Sequence, residues 1–190
     1  MSPAWTMAGI LPPVRPGHAG HSPDRSPYVT PLWEVVEQFA TTPIRTSILQ
    51  GLLDYRAALH RSGLVSGFQW LDGSFMEDVE EHESRPPKDV DVVTYFHLPN
   101  GETQASLFSK AGNLLSNAYV KTTYSVDAYP FVLGEPSEAR HVRQISYWYS
   151  MWSHRRDGMW KGFIQVDLDP QEDIAAAQLA SAIVTGGATP

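Results

Sequence analysis

Phe68-Gln69-Trp70-Leu71-Asp72-Gly73-Ser74 is the stretch on which the fold turns: an apolar, aromatic run ends on an acid, and a glycine and a hydroxyl follow at once. Residues 68–71 read as a short buried strand, and Gly73-Ser74 opens a helical turn. The next regular segment, Val90-Asp91-Val92-Val93-Thr94-Tyr95-Phe96, is β-branched and aromatic, hence a second strand. A polar, acidic insertion over 77–88 separates the two, carrying Glu77, Asp78, Glu80, Glu81, Glu83 and the run Arg85-Pro86-Pro87. Residues 124–129 read as a third strand, stopped by Pro130, and 162–168 alternate into a last one.

Helical spacing surrounds these strands. Thr30 before Pro31 predicts a capped start for a helix with Leu32, Val35, Val36 and Phe39 on one face. Thr42-Pro43 repeats that logic for a second helix carrying Ile44, Ile48, Leu52, Tyr55 and Leu59, which Gly63 stops. A third helical stretch begins at Gly101-Glu102, with Leu107, Ala111, Leu114 and Leu115 on one face. Residues 141–154 form an aromatic-rich helix, on which Ile145, Trp148 and Trp152 face the core while Tyr147 and Tyr149 lie on other faces. Residues 171–185 are an Ala-rich helical tail ending in a Gly-Gly-Ala-Thr-Pro fray. Residues 1–30, rich in Pro, Gly, Ser and His, show no period and read as an irregular arm. The expected organisation is therefore an arm (1–30), a main domain (31–170) and a helical tail (171–190), in an α+β fold with a mixed β-sheet flanked by helices.

Composition bounds the function. Six Trp, eight Tyr and seven Phe in 190 residues supply a sizeable core, and a formal charge of −7 argues against an extended nucleic-acid surface. No apolar run approaches the roughly 18 residues that span a bilayer, and the N-terminus has no apolar leader. With no cysteine there are no disulfides or thiolate ligands. A cytoplasmic protein without a membrane partner is the simplest expectation. His82, His97, His141 and His154 show no metal spacing, so a zinc hydrolase is not expected.

The acids carry the chemistry. Alternation along a strand puts Asp89 and Asp91 on one side, about 6.5 Å apart, within reach of shared cations. Such a pair is also found on solvated strand ends. Ser74 can hold a phosphate on a strand-to-helix turn or, with Glu77, complete a capping box. Asp127, between Val126 and Ala128, needs a metal or a counter-ion such as Lys121 or an arginine. Arg155, Arg156 and Lys161 cluster where the aromatic helix ends, and suit either phosphate oxygens or a solvated helix terminus.

Trp70-Leu71-Asp72-Gly73-Ser74, Asp89-Val90-Asp91-Val92-Val93 and Val126-Asp127-Ala128, in that order, resemble the DNA polymerase β-type nucleotidyltransferase superfamily. More narrowly, Leu11-Pro12-Pro13, Trp70-Leu71-Asp72-Gly73-Ser74-Phe75, Lys88-Asp89-Val90-Asp91-Val92-Val93 and Lys161-Gly162-Phe163 resemble an uncharacterised bacterial nucleotidyltransferase-like family of about this length. The resemblance implies a minimal nucleotidyltransferase fold and a metal-dependent nucleotidyltransferase. Asp89, Asp91 and Asp127 would be catalytic and would hold Mg²⁺ or Mn²⁺. Gly73 and Ser74 would hold the terminal phosphates of an NTP such as ATP, with Arg155, Arg156 and Lys161 as further phosphate contacts. The acceptor would be a protein, an RNA or a small molecule, in a toxin–antitoxin or phage-defence setting. The competing expectation is a non-catalytic nucleotide-binding or regulatory protein on the same scaffold.

Overall fold

Five strands, β1 (Tyr28–Val29), β2 (Gly67–Asp72), β3 (Val90–Phe96), β4 (Val126–Val132) and β5 (Ile164–Asp167), form one mixed sheet in the order β1-β5-β2-β3-β4. The computed structural model describes residues 2–134 and 138–186. β2 runs antiparallel to both of its neighbours, while β3 and β4, and β1 and β5, are parallel pairs. The helices are α1 (Leu32–Phe39), α2 (Pro43–Arg61), α3 (Val79–Glu83), α4 (Gln104–Ala111), α5 (Asn117–Tyr124), α6 (Ala139–Trp152) and α7 (Pro170–Gly186). The fold is thus α+β with helices flanking a mixed sheet.

Alternation along the strands divides the core in two. Leu71, Val90, Val92, Val126, Ala128, Ile164 and Val166 share one cluster with the apolar stripes of α1, α2 and α7. Trp70, Val93, Tyr95 and Phe131 pack on the opposite face with Phe163 and with Trp148 and Trp152 of α6. Each such aliphatic or phenylalanine side chain, fully buried, contributes about 1.5–3 kcal/mol. Ile145 is 39% exposed, so of the three α6 residues expected in the core only the two tryptophans are there. Arg45 and Arg56 lie fully buried on the helical side. Arg45 donates to Glu80 and to the carbonyls of Phe75 and Glu77, and Arg56 donates to Asp173, Gln69 and the carbonyl of Asp167.

Several expectations are corrected. Pro31 stands outside α1, and the Thr30 hydroxyl donates to the Tyr28 carbonyl. The Leu32 N–H is met instead by Glu172 Oε2 of α7 at 3.1 Å, a cap from 140 residues away. Thr42 does cap α2, accepting from the Arg45 N–H. Tyr124 ends a helix, α5, which the sequence reading passed over, and Ser125 turns the chain with φ of 57°. β4 continues through Pro130 to Val132, which is possible because β4 is an edge strand and Pro130 need not donate. The arm supplies β1, and Ile10 and Leu11 are buried. α7 packs on α1 and α2 with Ala176 and Ala180 buried, while residues 187–190 of the expected fray lie outside the described residues. Among the described residues no helix is long and apolar enough to cross a membrane.

Candidate functional site

Strand register builds the site. Asp72 at the end of β2 pairs with Asp91 on β3, and Asp91 pairs with Asp127 on β4. Neighbouring strands lie about 4.8 Å apart and paired residues share a face. The three carboxylates therefore form a row along the sheet face that carries Trp70, Val93 and Tyr129 one pleat further in. Asp89 stands immediately before β3. Gly73, with φ of 82°, turns the chain away from the row into the three-residue 3₁₀ turn Ser74–Met76. A Cβ on Gly73 would lie 2.1 Å from Asp91 Oδ2, so only glycine lets the turn pass beside that carboxylate. The expected capping box is absent. The Glu77 N–H donates to the Ser74 carbonyl, and the Glu77 side chain turns to Lys161.

The acids in this row meet different fates. Asp72 is buried and accepts from Lys161 Nζ at 2.8 Å, as does Glu77 at the same distance. Desolvation pushes the Asp72 carboxyl up to about 6 against the pull of Lys161 and the Gly73 N–H. Desolvation lowers Lys161, but Asp72 and Glu77 outweigh it and hold the ammonium above its ordinary value. Asp127 is raised by desolvation, yet hydrogen bonds from Lys121, Asn117 and Tyr129 prevail and leave it below the usual carboxylate range. Lys121 also pairs with Asp89 at 2.9 Å. Asp91 has none of this. No donor among the described residues hydrogen-bonds it, and desolvation, then the charges of Asp72, Asp127 and Asp89, push its carboxyl up to about 7.

Of the residues singled out in the sequence, Asp89, Asp91 and Asp127 are brought together around β3 and β4, with Gly73 against Asp91. The Ser74 hydroxyl has no protein partner among the described residues. Lys161 corrects an expectation: its side chain is 5% exposed and engaged by two carboxylates, so it supports Asp72 and is no free phosphate contact. Arg155 is also engaged, with Glu77, Glu83 and Asp157, while Arg156 is exposed. Asp72, Glu77, Asn117 and Tyr129 were missed as site residues, and Lys121 was weighed only as a counter-ion. An acid that ends an apolar strand just before a glycine is the local signal that marks Asp72.

The donor set fits a hard divalent cation. It is all carboxylate oxygen, the kind Mg²⁺ and Mn²⁺ take. Asp91 in particular is a half-buried acid that lacks a partner, and its burial is costly until a cation joins it. Among the described residues no three His, Asp or Glu side chains form a ready-made ligand group, and Lys121 stands between two of the three candidates.

A family model described as a family of unknown function (DUF6932) matches residues 3–167. No curated protein and no solved structure matches the chain significantly.

Proposed function

Because the chain belongs to the family of unknown function DUF6932, its chemistry has to be read from its own side chains, and we propose that it is a metal-dependent nucleotidyltransferase on a minimal nucleotidyltransferase fold. It moves a nucleoside monophosphate from an NTP to an acceptor, with pyrophosphate leaving. The observation that carries this reading is the in-register row Asp72–Asp91–Asp127, in which unpartnered Asp91 lies against the Gly73-Ser74 turn. Asp89 and Asp91 hold Mg²⁺ or Mn²⁺, which when bound neutralises phosphate charge and polarises the bond to be broken. The Ser74 hydroxyl donates to a terminal phosphate oxygen, and Arg156 offers a guanidinium for the same group. Asp127, held ionised by Lys121, is a weak base. It orients an acceptor hydroxyl rather than removing its proton. The acceptor is a protein, an RNA or a small molecule, and toxin–antitoxin or phage-defence systems are the settings to search first.

Incubation with each labelled NTP and Mg²⁺ or Mn²⁺, following pyrophosphate release and label transfer, tests the reading. Asp89→Asn and Asp91→Asn should each lower turnover by on the order of 100-fold or more, with unchanged circular dichroism. Variants that turn over like the parent would remove the assignment. A second reading, nucleotide binding without transfer, is favoured by one observation: Lys121 already pairs with two of the three aspartates. Saturable NTP binding with no pyrophosphate release against any acceptor would select it.

A further inference from the structure

We infer that Lys121 takes the place of a second cation in the acidic row, so that the site accepts one divalent ion rather than two. The inference rests on the reading that Asp89 and Asp91 bind a divalent metal, and adds to it the number of ions and the residue that sets it.

α5 aims two side chains at Asp127 from one helical face. Asn117 and Lys121 are four residues apart, hence neighbours on that face. The Asn117 amide donates to Asp127 Oδ1 and to the Ala128 carbonyl, and the Lys121 ammonium donates to Asp127 Oδ2. Both oxygens of Asp127 are therefore taken by protein donors. The same ammonium reaches Asp89 Oδ2 at 2.9 Å and so spans two strand ends, as a bridging metal would. It is also held in place by the backbone. The Ser125 N–H donates to the Lys121 carbonyl, the left-handed Ser125 turns directly into β4, and the Val90 N–H donates to the Ser125 carbonyl beside Asp89.

Charge and ligand counts agree. At the open end of the row, Asp89, Asp91 and Asp127 face one ammonium, which leaves two negative charges once Asp91 is ionised, and one divalent cation balances them. Both oxygens of Asp91 and one of Asp89 remain without a hydrogen-bonded donor among the described residues, enough for one ion that keeps waters of its own. The Lys121 side chain is 46% exposed, so removing the charge exposes carboxylates to water without opening the core.

The test is the stoichiometry of Mn²⁺ binding, with Mn²⁺ alone and no nucleotide, by titration calorimetry and by the paramagnetic resonance of free Mn²⁺. The parent should bind one ion, and Lys121→Met should bind two. Lys121→Arg, which keeps the charge, should stay at one. Two ions in the parent, or one in both parent and Lys121→Met, would overturn the inference and leave the metal-site reading intact. No saturable Mn²⁺ binding to the parent at millimolar concentration would overturn both. Lys121→Gln provides a second neutral variant, and circular dichroism of each checks that the fold persists.

Discussion

Two lysines in this protein each bridge two carboxylates, and they do opposite things. Lys161 joins Asp72 to Glu77 behind the end of β2, with all three side chains largely closed off from solvent. Lys121 joins Asp89 to Asp127 at the outer end of the same acidic row, with nearly half its side chain in water. The geometry of the two bridges is similar, and their surroundings are not. In the sealed case the ammonium is the cation bonded to Asp72, and its loss strands buried charge there, while Glu77 keeps Arg155 at 3.5 Å. In the open case water and salt can replace it, so the bridge is weak and exchangeable. Asp91 lies between the two, with neither lysine bonded to it.

The largest effect that tests this contrast should follow Lys161→Met. Leaving Asp72 buried without its cation, and Glu77 with Arg155 alone, should cost about 3–5 kcal/mol in urea unfolding at pH 8. The loss should shrink towards pH 5, because the Asp72 carboxyl, already raised to about 6, then neutralises itself. An equal loss at both pH values would mean that Lys161 contributes packing more than charge.

Asp91→Asn should come next, with the opposite sign. Folding raises the Asp91 carboxyl from 3.8 to about 7. Such a group costs nothing below its unfolded value, costs progressively more as the pH climbs through that window, and costs its full amount above about 7. Without added metal the variant should therefore be more stable than the parent by about 1–3 kcal/mol at pH 8, and equal to it near pH 3.5. Thermal unfolding at both pH values reads this directly. A variant destabilised at pH 8 would show that Asp91 has a stabilising partner.

Lys121→Met should have the smallest effect on stability, below about 1 kcal/mol, as expected for an exposed ion pair. A loss as large as that of Lys161→Met would erase the contrast between the sealed and open bridges. Reductive methylation sharpens it without mutation: Lys121 should be modified in the folded protein, and Lys161 only after unfolding.

Four of the five strands and two acids of the row, Asp91 and Asp127, were legible because their signals are local. Phe68 to Leu71 and Val90 to Phe96 announce themselves by β-branched and aromatic side chains, and Asp127 stands out between two apolar neighbours. What escaped was set by partners distant in the chain. Lys161 reads as one of a basic cluster, since its acids lie 89 and 84 residues away. Arg45 and Arg56 stand outside the apolar set of their helix, and it is tertiary carbonyls and carboxylates that bury them completely. α5 was hidden because Asn117 to Tyr124 has little apolar periodicity, with Val120 its one buried side chain. Pro130 misled for a different reason: a proline would end a central strand, but β4 is an edge strand, and which strand is central is a property of the whole sheet.

The seam between the arm and β5 has a consequence for handling the molecule. The Gly162 N–H donates to the Leu11 carbonyl at 2.7 Å, and a Cβ at position 162 would lie 2.5 Å from the Pro12 oxygen. Leu11-Pro12 is thus clasped by the residue next to Lys161, and a methyl group there would push the opening segment off the sheet. Deleting residues up to Pro12 would release the clasp from the other side and loosen the backbone that aims Lys161 at Asp72. The opening segment and the approach to β5 are mechanically one part, and a substitution in either should be felt at Asp72.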